Sequence, residues 1–389
     1  MRFSGVALLL CALPLAAQDS LVERGFDHFY NLEYDQALAD FRQAIAQTPN
    51  SPDLHNHLAQ TLVFREMFRD GALESELVSG NNSFLRRPKL NPSPETEREF
   101  LGEVATAMSL SEARLKKDPD DPGALYALGI SYGLRANYYW VVKKSWRESL
   151  RDATAARREH NRLAELEPEN VDARLVQGLH DYIVGSLPVA YRLLGFLAGI
   201  RGDKEKGIHT IEEVARHGNR NRLDAEIFLG ALYRRENRPL AAVPLIRDLI
   251  AHFPRNYLLR LELSQMYSMG GDKARAFAAL QDLERLKRNN APGYTRMPWE
   301  TLYFQEGTIQ FWYRDFGPAL ENLKKVAAAD TAVDLNTGAL TYLRIGQIYD
   351  LMHRRQDALA AYHKCIEYAP RAEAAQESRK YLTEPYQRL

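Results

Sequence analysis

The chain has almost no cysteine. Only Cys11 and Cys365 occur among its 389 residues, and Cys11 lies in an apolar N-terminal stretch. If that stretch is removed, Cys365 is the single cysteine left, so neither an internal disulfide nor a zinc site built from thiolates can form. Stability must then come from the apolar residues, which make up 45% of the chain and suffice for a large core.

The chain also has no net charge. Its 51 basic residues balance 51 acidic ones, so no overall field attracts nucleic acid or an anionic membrane. We expect any partner to be recognised locally, and we expect no nucleic-acid partner.

Recognisable catalytic motifs are missing as well. The sequence contains no phosphate-binding glycine-rich loop, nucleophile elbow or zinc-helix signature. His55 and His57 lie two positions apart, so on one helix they point in different directions. His209 and His217 could share a helix face but have no third ligand nearby. The sequence therefore predicts a protein that is not an enzyme, with no catalytic residue, cofactor or metal.

No apolar run is long enough for a good membrane span. The N-terminal run from Val6 to Ala17 follows Arg2 and ends in small residues, which is typical of a secretory signal peptide. We predict a signal at residues 1–17, cleaved after Ala17, and export, most simply to the periplasm of a Gram-negative bacterium. Lipidation at Cys11 is the alternative, although Leu10 stands where such a signal needs a small residue.

A second apolar stretch runs from Leu187 to Ile200, interrupted by Tyr191 and Arg192. Its length suits a buried or interfacial segment better than a span, and we favour a core role. No stable membrane span is expected after signal removal. Peripheral membrane contact is left open.

What the sequence does contain is an internal repeat. When the sequence is shifted along itself so that Gly230 falls on Ser264, small residues fall on small and large on large. The same shift pairs Tyr233 with Tyr267, Ala242 with Ala276 and Ile246 with Leu280. Two amphipathic runs separated by Asn237 and Pro239 predict a helix, a tight turn and a second helix. We expect Gly230 and Ala242 at the helix crossing, where small side chains let backbones approach.

This pattern resembles the tetratricopeptide repeat, whose consensus period is about 34 residues. Glycines in the same role recur at Gly25, Gly129, Gly178, Gly307 and Gly346. The resemblance implies an all-α, right-handed superhelical solenoid of helix-turn-helix repeats.

We predict seven segments along the chain. They are a signal peptide at 1–17, N-terminal repeats at 18–70, an irregular insertion with a proline-rich loop and a helix at 71–121, divergent repeats with long insertions at 122–220, two regular units at 221–290, two C-terminal units at 291–371, and a capping helix with a tail at 372–389. Within the divergent part, aromatic residues including Trp146 mingle with basic ones, and we interpret this stripe as sealing a joint between long helices.

The resemblance also implies a function, namely a non-enzymatic scaffold that binds protein or peptide partners in a concave groove lined by the first helices. The expected groove residues are Gln60, Tyr126, Arg234, Gln265, Phe304, Trp312, Arg344 and Gln347. Trp312 and Arg344 are the favoured anchors, because large planar and cationic groups carry much of the energy of interfaces. The alternative is an accessory of an envelope transporter, or a helical protein that binds a lipid or small ligand through residues 183–200.

Overall fold

The computed structural model describes residues 13–71, 73, 91–187, 189, 192, 201–329 and 333–387. Throughout these ranges the secondary structure is helical, with no strand. The predicted all-α repeat fold is therefore confirmed. Cys11, most of the predicted proline-rich loop and most of the apolar segment 187–200 lie outside the described residues.

The chain divides into two compact units, of which the first consists of Met1–Glu66 and Pro88–Asn221. Its α-helices are α1 (Leu13–Tyr30), α2 (Tyr34–Gln47), α3 (Pro52–Arg69), α4 (Pro94–Lys117), α5 (Pro122–Tyr138), α6 (Trp146–Leu166), α7 (Leu175–Gly185) and α8 (Lys204–His217). The boundary between the units falls inside α3, after Glu66. A π-helix, Tyr139–Lys143, follows α5, and a 3-10 turn, Val171–Arg174, precedes α7.

The second unit consists of Met67–Arg87 and Arg222–Leu389. Its α-helices are α9 (Arg222–Arg235), α10 (Pro239–His252), α11 (Tyr257–Met269), α12 (Lys273–Arg288), α13 (Trp299–Trp312), α14 (Phe316–Ala328), α15 (Leu335–Leu351), α16 (Arg355–Tyr368) and α17 (Glu373–Thr383). On α17, Ala374, Ala375 and Ser378 are buried while Arg379 and Lys380 are exposed, so it is the polar terminal helix that the sequence predicts.

Four of the regular hairpins share one contact between their two helices. A glycine of the first helix faces a large side chain of the second, and the offset along the chain is the same in all four. The pairs are Gly25 with Phe41, Gly230 with Ile246, Gly307 with Leu323 and Gly346 with Tyr362. A Cβ at Gly307 would lie 2.8 Å from Leu323 Cγ, so only glycine fits there without a shift. The predicted Gly230 does face the second helix, but a Cβ there would lie 3.9 Å from its nearest atom, so this crossing is less tight than the one at Gly307.

The turn inside each regular hairpin also repeats. A residue with positive φ follows the first helix, at Leu32 (64°), Asn237 (53°), Gly271 (82°), Arg314 (64°) and His353 (60°). The amide of the next residue donates to a carbonyl of the preceding turn, as from Arg354 to Tyr349 O at 2.8 Å. This pattern satisfies a carbonyl at the end of the helix. Because a single glycine occurs among these five positions, the turn is not visible from glycine alone.

Two hairpins of the first unit keep the close approach at a longer spacing. Gly129 faces His160 and Gly178 faces Ile211, so the partners lie farther apart along the chain than in the regular hairpins. Between α5 and α6 the added length includes the π-helix, which ends at Lys144 with a φ of 55°. The divergent part is therefore still built from helical hairpins.

Candidate functional site

The second unit contains four successive hairpins, whose first helices are α9, α11, α13 and α15, and a terminal helix, α17. We call these five helices the first-helix row. A side-chain contact joins each helix of the row to the next. The contacts are Arg234 with Glu262 (Nη1 to Oε2, 2.9 Å), Gln305 with Gln265 (Nε2 to Oε1, 2.8 Å), Arg344 with Trp312 (guanidinium to ring centroid, 4.9 Å) and Gln347 with Glu377 (Nε2 to Oε1, 3.4 Å). Each contact involves a residue that the sequence predicts for partner binding.

Arg234 and Glu262 form a buried ion pair. Their side chains are 6% and 9% exposed, and the pair bridges α9 and α11. A buried charge is tolerated only when it is paired and hydrogen-bonded, so each of these residues depends on the other. In this structure Arg234 holds two helices together, and its predicted role in partner binding is untested.

Phe304 and Gln347 are buried as well. Phe304 belongs to the apolar core around α13 to α17. The Gln347 amide donates to Glu377 and its oxygen accepts a bond from Arg344 Nη1 at 2.7 Å. The described conformation leaves neither side chain available at the surface, so their contact with a partner stays a prediction.

Trp312 and Arg344 are brought together, as expected for two anchors on adjacent repeats. The Arg344 guanidinium lies 4.9 Å from the Trp312 ring centroid and 4.8 Å from that of Phe311. Phe311 is fully buried, whereas Trp312 is 42% exposed. Arg344 is thus held in place by stacking and by its bond to Gln347, beside an indole that faces solvent.

Met269 extends this exposed apolar surface onto the neighbouring helix. Met269 and Trp312 occupy the same place in their hairpins, two positions before the positive-φ residue, and both are exposed. Tyr313 ties the two helix ends together by donating its hydroxyl to Ser268 O at 3.0 Å. We call Met269, Trp312 and Arg344 the anchor edge.

Tyr126 and Gln60 lie in the first unit. The Arg220 guanidinium stacks 4.3 Å from the Tyr126 ring centroid and reaches Asp53 at 3.3 Å, while the Tyr126 hydroxyl donates to Asn221 Oδ1 at 2.7 Å. Tyr126 is therefore engaged within its own unit. Gln60 is partly exposed on α3.

Three residues that contact the predicted partner-binding residues were not themselves predicted from the sequence. They are Glu262, Gln305 and Phe311. A signal was available for Glu262, because an acidic residue within the apolar run YLLRLELSQMY needs a partner if that helix is buried. Nothing in the sequence distinguishes Gln305 or Phe311 from other residues of their helix.

A polar cluster in the second unit is centred on Asp350. Its carboxylate accepts bonds from Arg355 Nη1 at 2.9 Å, from the Tyr362 hydroxyl at 2.8 Å and from the Tyr386 amide at 2.8 Å. Burial, together with this bond to Asp350, raises the pKa of Tyr362, so the phenol stays protonated and donating. The cluster fastens the C-terminal segment to α15 and α16.

The described residues contain no group of three or more histidine, cysteine, aspartate or glutamate residues placed to hold a metal ion. None of the described helices combines the length and apolarity needed to cross a bilayer. The expectation that the protein is not an enzyme stays a prediction.

Comparison with known proteins identifies the repeat. Residues 229–291 match the family model of the tetratricopeptide repeat. This segment covers the second half of α9 and all of α10 to α12, within the two units in which the sequence period is clearest. The predicted resemblance to tetratricopeptide repeats is confirmed for this segment. No curated protein matches the chain in sequence.

Several solved structures are similar to this chain. They include human IFIT1 in a dimer with m7Gppp-AAAA (16% identity, covering 97% of this chain and 89% of that one, TM-score 0.46), yeast Tom70 (11%, 95% and 95%, 0.40) and a tetratricopeptide repeat protein from Parabacteroides merdae (17%, 84% and 99%, 0.23). At these identities and TM-scores the likenesses carry no argument about a ligand. The expected absence of a nucleic-acid partner stays a prediction.

Proposed function

We propose that this tetratricopeptide-repeat protein is an exported, non-enzymatic scaffold that binds a protein or peptide partner at the anchor edge of its second unit. The observation that carries the proposal is the exposed Trp312 indole stacked against an Arg344 guanidinium that the structure already holds in place.

The chemistry of this pair suits a protein interface. Tryptophan and arginine are enriched among the few residues that dominate binding energy, especially where apolar surface surrounds them. Met269 supplies such surface on the adjacent helix. Because Arg344 is ordered before a partner arrives, little side-chain entropy is lost on binding.

The packing of the first hairpin is compatible with signal cleavage after Ala17. The first described apolar contact of helix α1 is made by Leu21, which packs with Ala44 and Leu54. The mature chain would therefore keep the packing of α1 on α2 and α3.

The test captures a partner and then measures its affinity. A photo-crosslinking amino acid is introduced in the native cell at position 314, which is exposed close to Trp312 and leaves that anchor in place, and the captured protein is identified and purified. Its dissociation constant is then measured for the wild type, for Trp312→Ala and for Trp299→Ala. Trp299 is the matched control, because it lies at the opposite end of the same helix and stacks on Tyr303.

We expect Trp312→Ala to weaken binding by about 30-fold, the loss typical of a central anchor, and Trp299→Ala to leave it unchanged. Equal affinity of wild type and Trp312→Ala would exclude the anchor edge. Export is checked separately by fractionation and N-terminal sequencing, with Gln18 expected as the first residue of a periplasmic protein.

A further inference from the structure

The first unit carries an exposed apolar and cationic face on α6. Trp146 is 58% exposed and Leu150, one turn later, is 38% exposed. Exposed residues in the first part of this helix follow one stripe, which we call the α6 outer face: Trp146, Arg147, Leu150, Arg151, Thr154 and Arg158. The expectation that the aromatic stripe seals a helix joint is wrong for Trp146.

The break before α6 explains this outward direction. Tyr138, at the end of α5, is buried and stacks on Phe100 with ring centroids 4.7 Å apart, as a joint residue should. The π-helix and the left-handed Lys144 then reset the helical register before Trp146. A sequence pattern with one continuous helical period cannot show such a reset.

Charge on α6 is separated between its two sides. Arg151 and Arg158 are 65% and 71% exposed, whereas the acidic residue that follows each of them, Asp152 or Glu159, is buried. Asp152 is also paired with Arg135 from α5, at 2.6 Å. Around Arg151 and Arg158 the helix therefore presents its positive groups to solvent and keeps the neighbouring acidic groups inside. Glu148 is half-buried and accepts a bond from Ser145, and Glu165 is exposed near the far end of the helix.

Further basic groups adjoin the exposed indole. Lys143 and Lys144 are exposed just before α6, and the Arg147 guanidinium lies 5.3 Å from the Trp146 ring centroid. Lys143 also pairs with Glu97, whose side chain is less exposed than its own. Further along the helix, an open hollow of about 550 Å³ is lined by Thr154, Arg157, Arg158, Asn161, Arg162 and Glu165. The cationic surface thus continues beyond the apolar pair.

We propose that the α6 outer face docks on a bilayer that contains anionic phospholipid. Trp146 and Leu150 enter the interfacial region. The phosphate headgroups are contacted by the basic residues beside them, Lys143, Lys144, Arg147 and Arg151. Tryptophan prefers the membrane interface, and basic side chains beside an anionic leaflet each add to the attraction. Single-stranded nucleic acid fits less well, because it needs successive aromatic platforms and the next exposed turn here offers Leu150.

The test is co-sedimentation of the purified protein with vesicles. Vesicles of phosphatidylcholine alone are compared with an equal mixture of phosphatidylcholine and phosphatidylglycerol at physiological ionic strength. The variants are Trp146→Ala, the double change Arg147→Gln with Arg151→Gln, and the charge-keeping change Arg147→Lys with Arg151→Lys. Loss of Arg151 leaves Asp152 paired with Arg135, so the fold is retained.

We expect sedimentation with the anionic vesicles and not with phosphatidylcholine alone. The double glutamine variant should bind about 30-fold more weakly, because two basic contacts are lost. Trp146→Ala should bind about tenfold more weakly, while the lysine variant and Trp312→Ala should bind like the wild type. Failure to bind anionic vesicles, or equal binding by all variants, would overturn the proposal. Tighter binding to a single-stranded oligonucleotide that depends on Trp146 would overturn it as well, by assigning the face to nucleic acid.

Discussion

The second unit keeps its hairpins at one spacing, whereas the first unit stretches two of them. Gly230 and Ile246 are separated by a short stretch of chain, Gly129 and His160 by a much longer one, and both pairs mark a helix crossing. The fold therefore requires the contact between two helices and not a fixed distance along the chain. A sequence period can fade while the structural repeat continues.

The two units also treat charge differently. The second unit buries the pair of Arg234 and Glu262 within its first-helix row. The first unit exposes Arg151 and Arg158 on α6, while the acidic residue beside each of them is buried. The same residue types thus hold helices together in one unit and form a cationic surface in the other.

The largest effect is expected at the buried pair. Glu262→Ala would leave Arg234 as an unpaired buried charge and should cost about 3–5 kcal/mol of unfolding free energy. The control is Arg162→Ala in the first unit, where the partner Asp120 is exposed and the loss should stay below about 1 kcal/mol. Urea denaturation measures both, and equal losses would show that burial does not decide the strength of these pairs.

Alanine substitutions at two glycines test how closely the helices approach each other in the first and second units. At Gly207 on α8 a Cβ would lie 2.6 Å from Gly178 O and closer still to the Tyr182 amide, so backbone would have to move. Gly207→Ala should cost about 3 kcal/mol. At Gly230 the nearest atom is 3.9 Å away, so Gly230→Ala should be neutral or stabilising by up to about 1 kcal/mol. Urea denaturation again provides the measurement, and a loss at Gly230 as large as at Gly207 would contradict this view of the crossings.

Lowering the pH should destabilise the first unit, because His160 is buried there in its neutral form. Burial lowers the pKa of His160 to about 4, from an ordinary value of 6.5. Below pH 6.5 the unfolded chain takes up a proton that the folded chain resists, so stability falls as the pH drops toward 4. Between pH 7 and about pH 4.5 the wild type should lose about 2–3 kcal/mol more than His160→Gln. Hydrogen exchange of α5 and α6 measures the difference.

Two controls accompany the acid prediction. A hydrogen bond to Glu103 raises the pKa of His55, and this favours the folded state at low pH. Because His55 is present in both the wild type and His160→Gln, the difference between the two proteins does not contain its contribution. The histidines of the second unit, His252, His353 and His363, are exposed. An equal response of wild type and variant to acid would show that His160 does not carry the effect.

The sequence predicted the fold more fully than the site. Gly307 and Gly346 were predictable because their hairpins keep the regular order of small and large residues. His160 was not, since an insertion hides which residue faces Gly129. In the site, Trp312 and Arg344 were identified and do meet, but the burial of Gln347 was not foreseen. A helix pattern shows which face a residue occupies, and not whether a neighbouring helix covers it.

The smallest expected effect concerns the shared turn. Arg314 is exposed with a φ of 64°, a conformation that costs a non-glycine residue about 1 kcal/mol, so Arg314→Gly should stabilise the second unit by up to that amount. Leu32 has the same φ in the first unit but is buried, and Leu32→Gly should lose about 2 kcal/mol of apolar burial, which outweighs the relief. Thermal unfolding of both variants decides the point. Stabilisation by both would mean that backbone strain dominates this turn wherever it occurs, whereas opposite signs would show that the buried leucine compensates for its strain by packing.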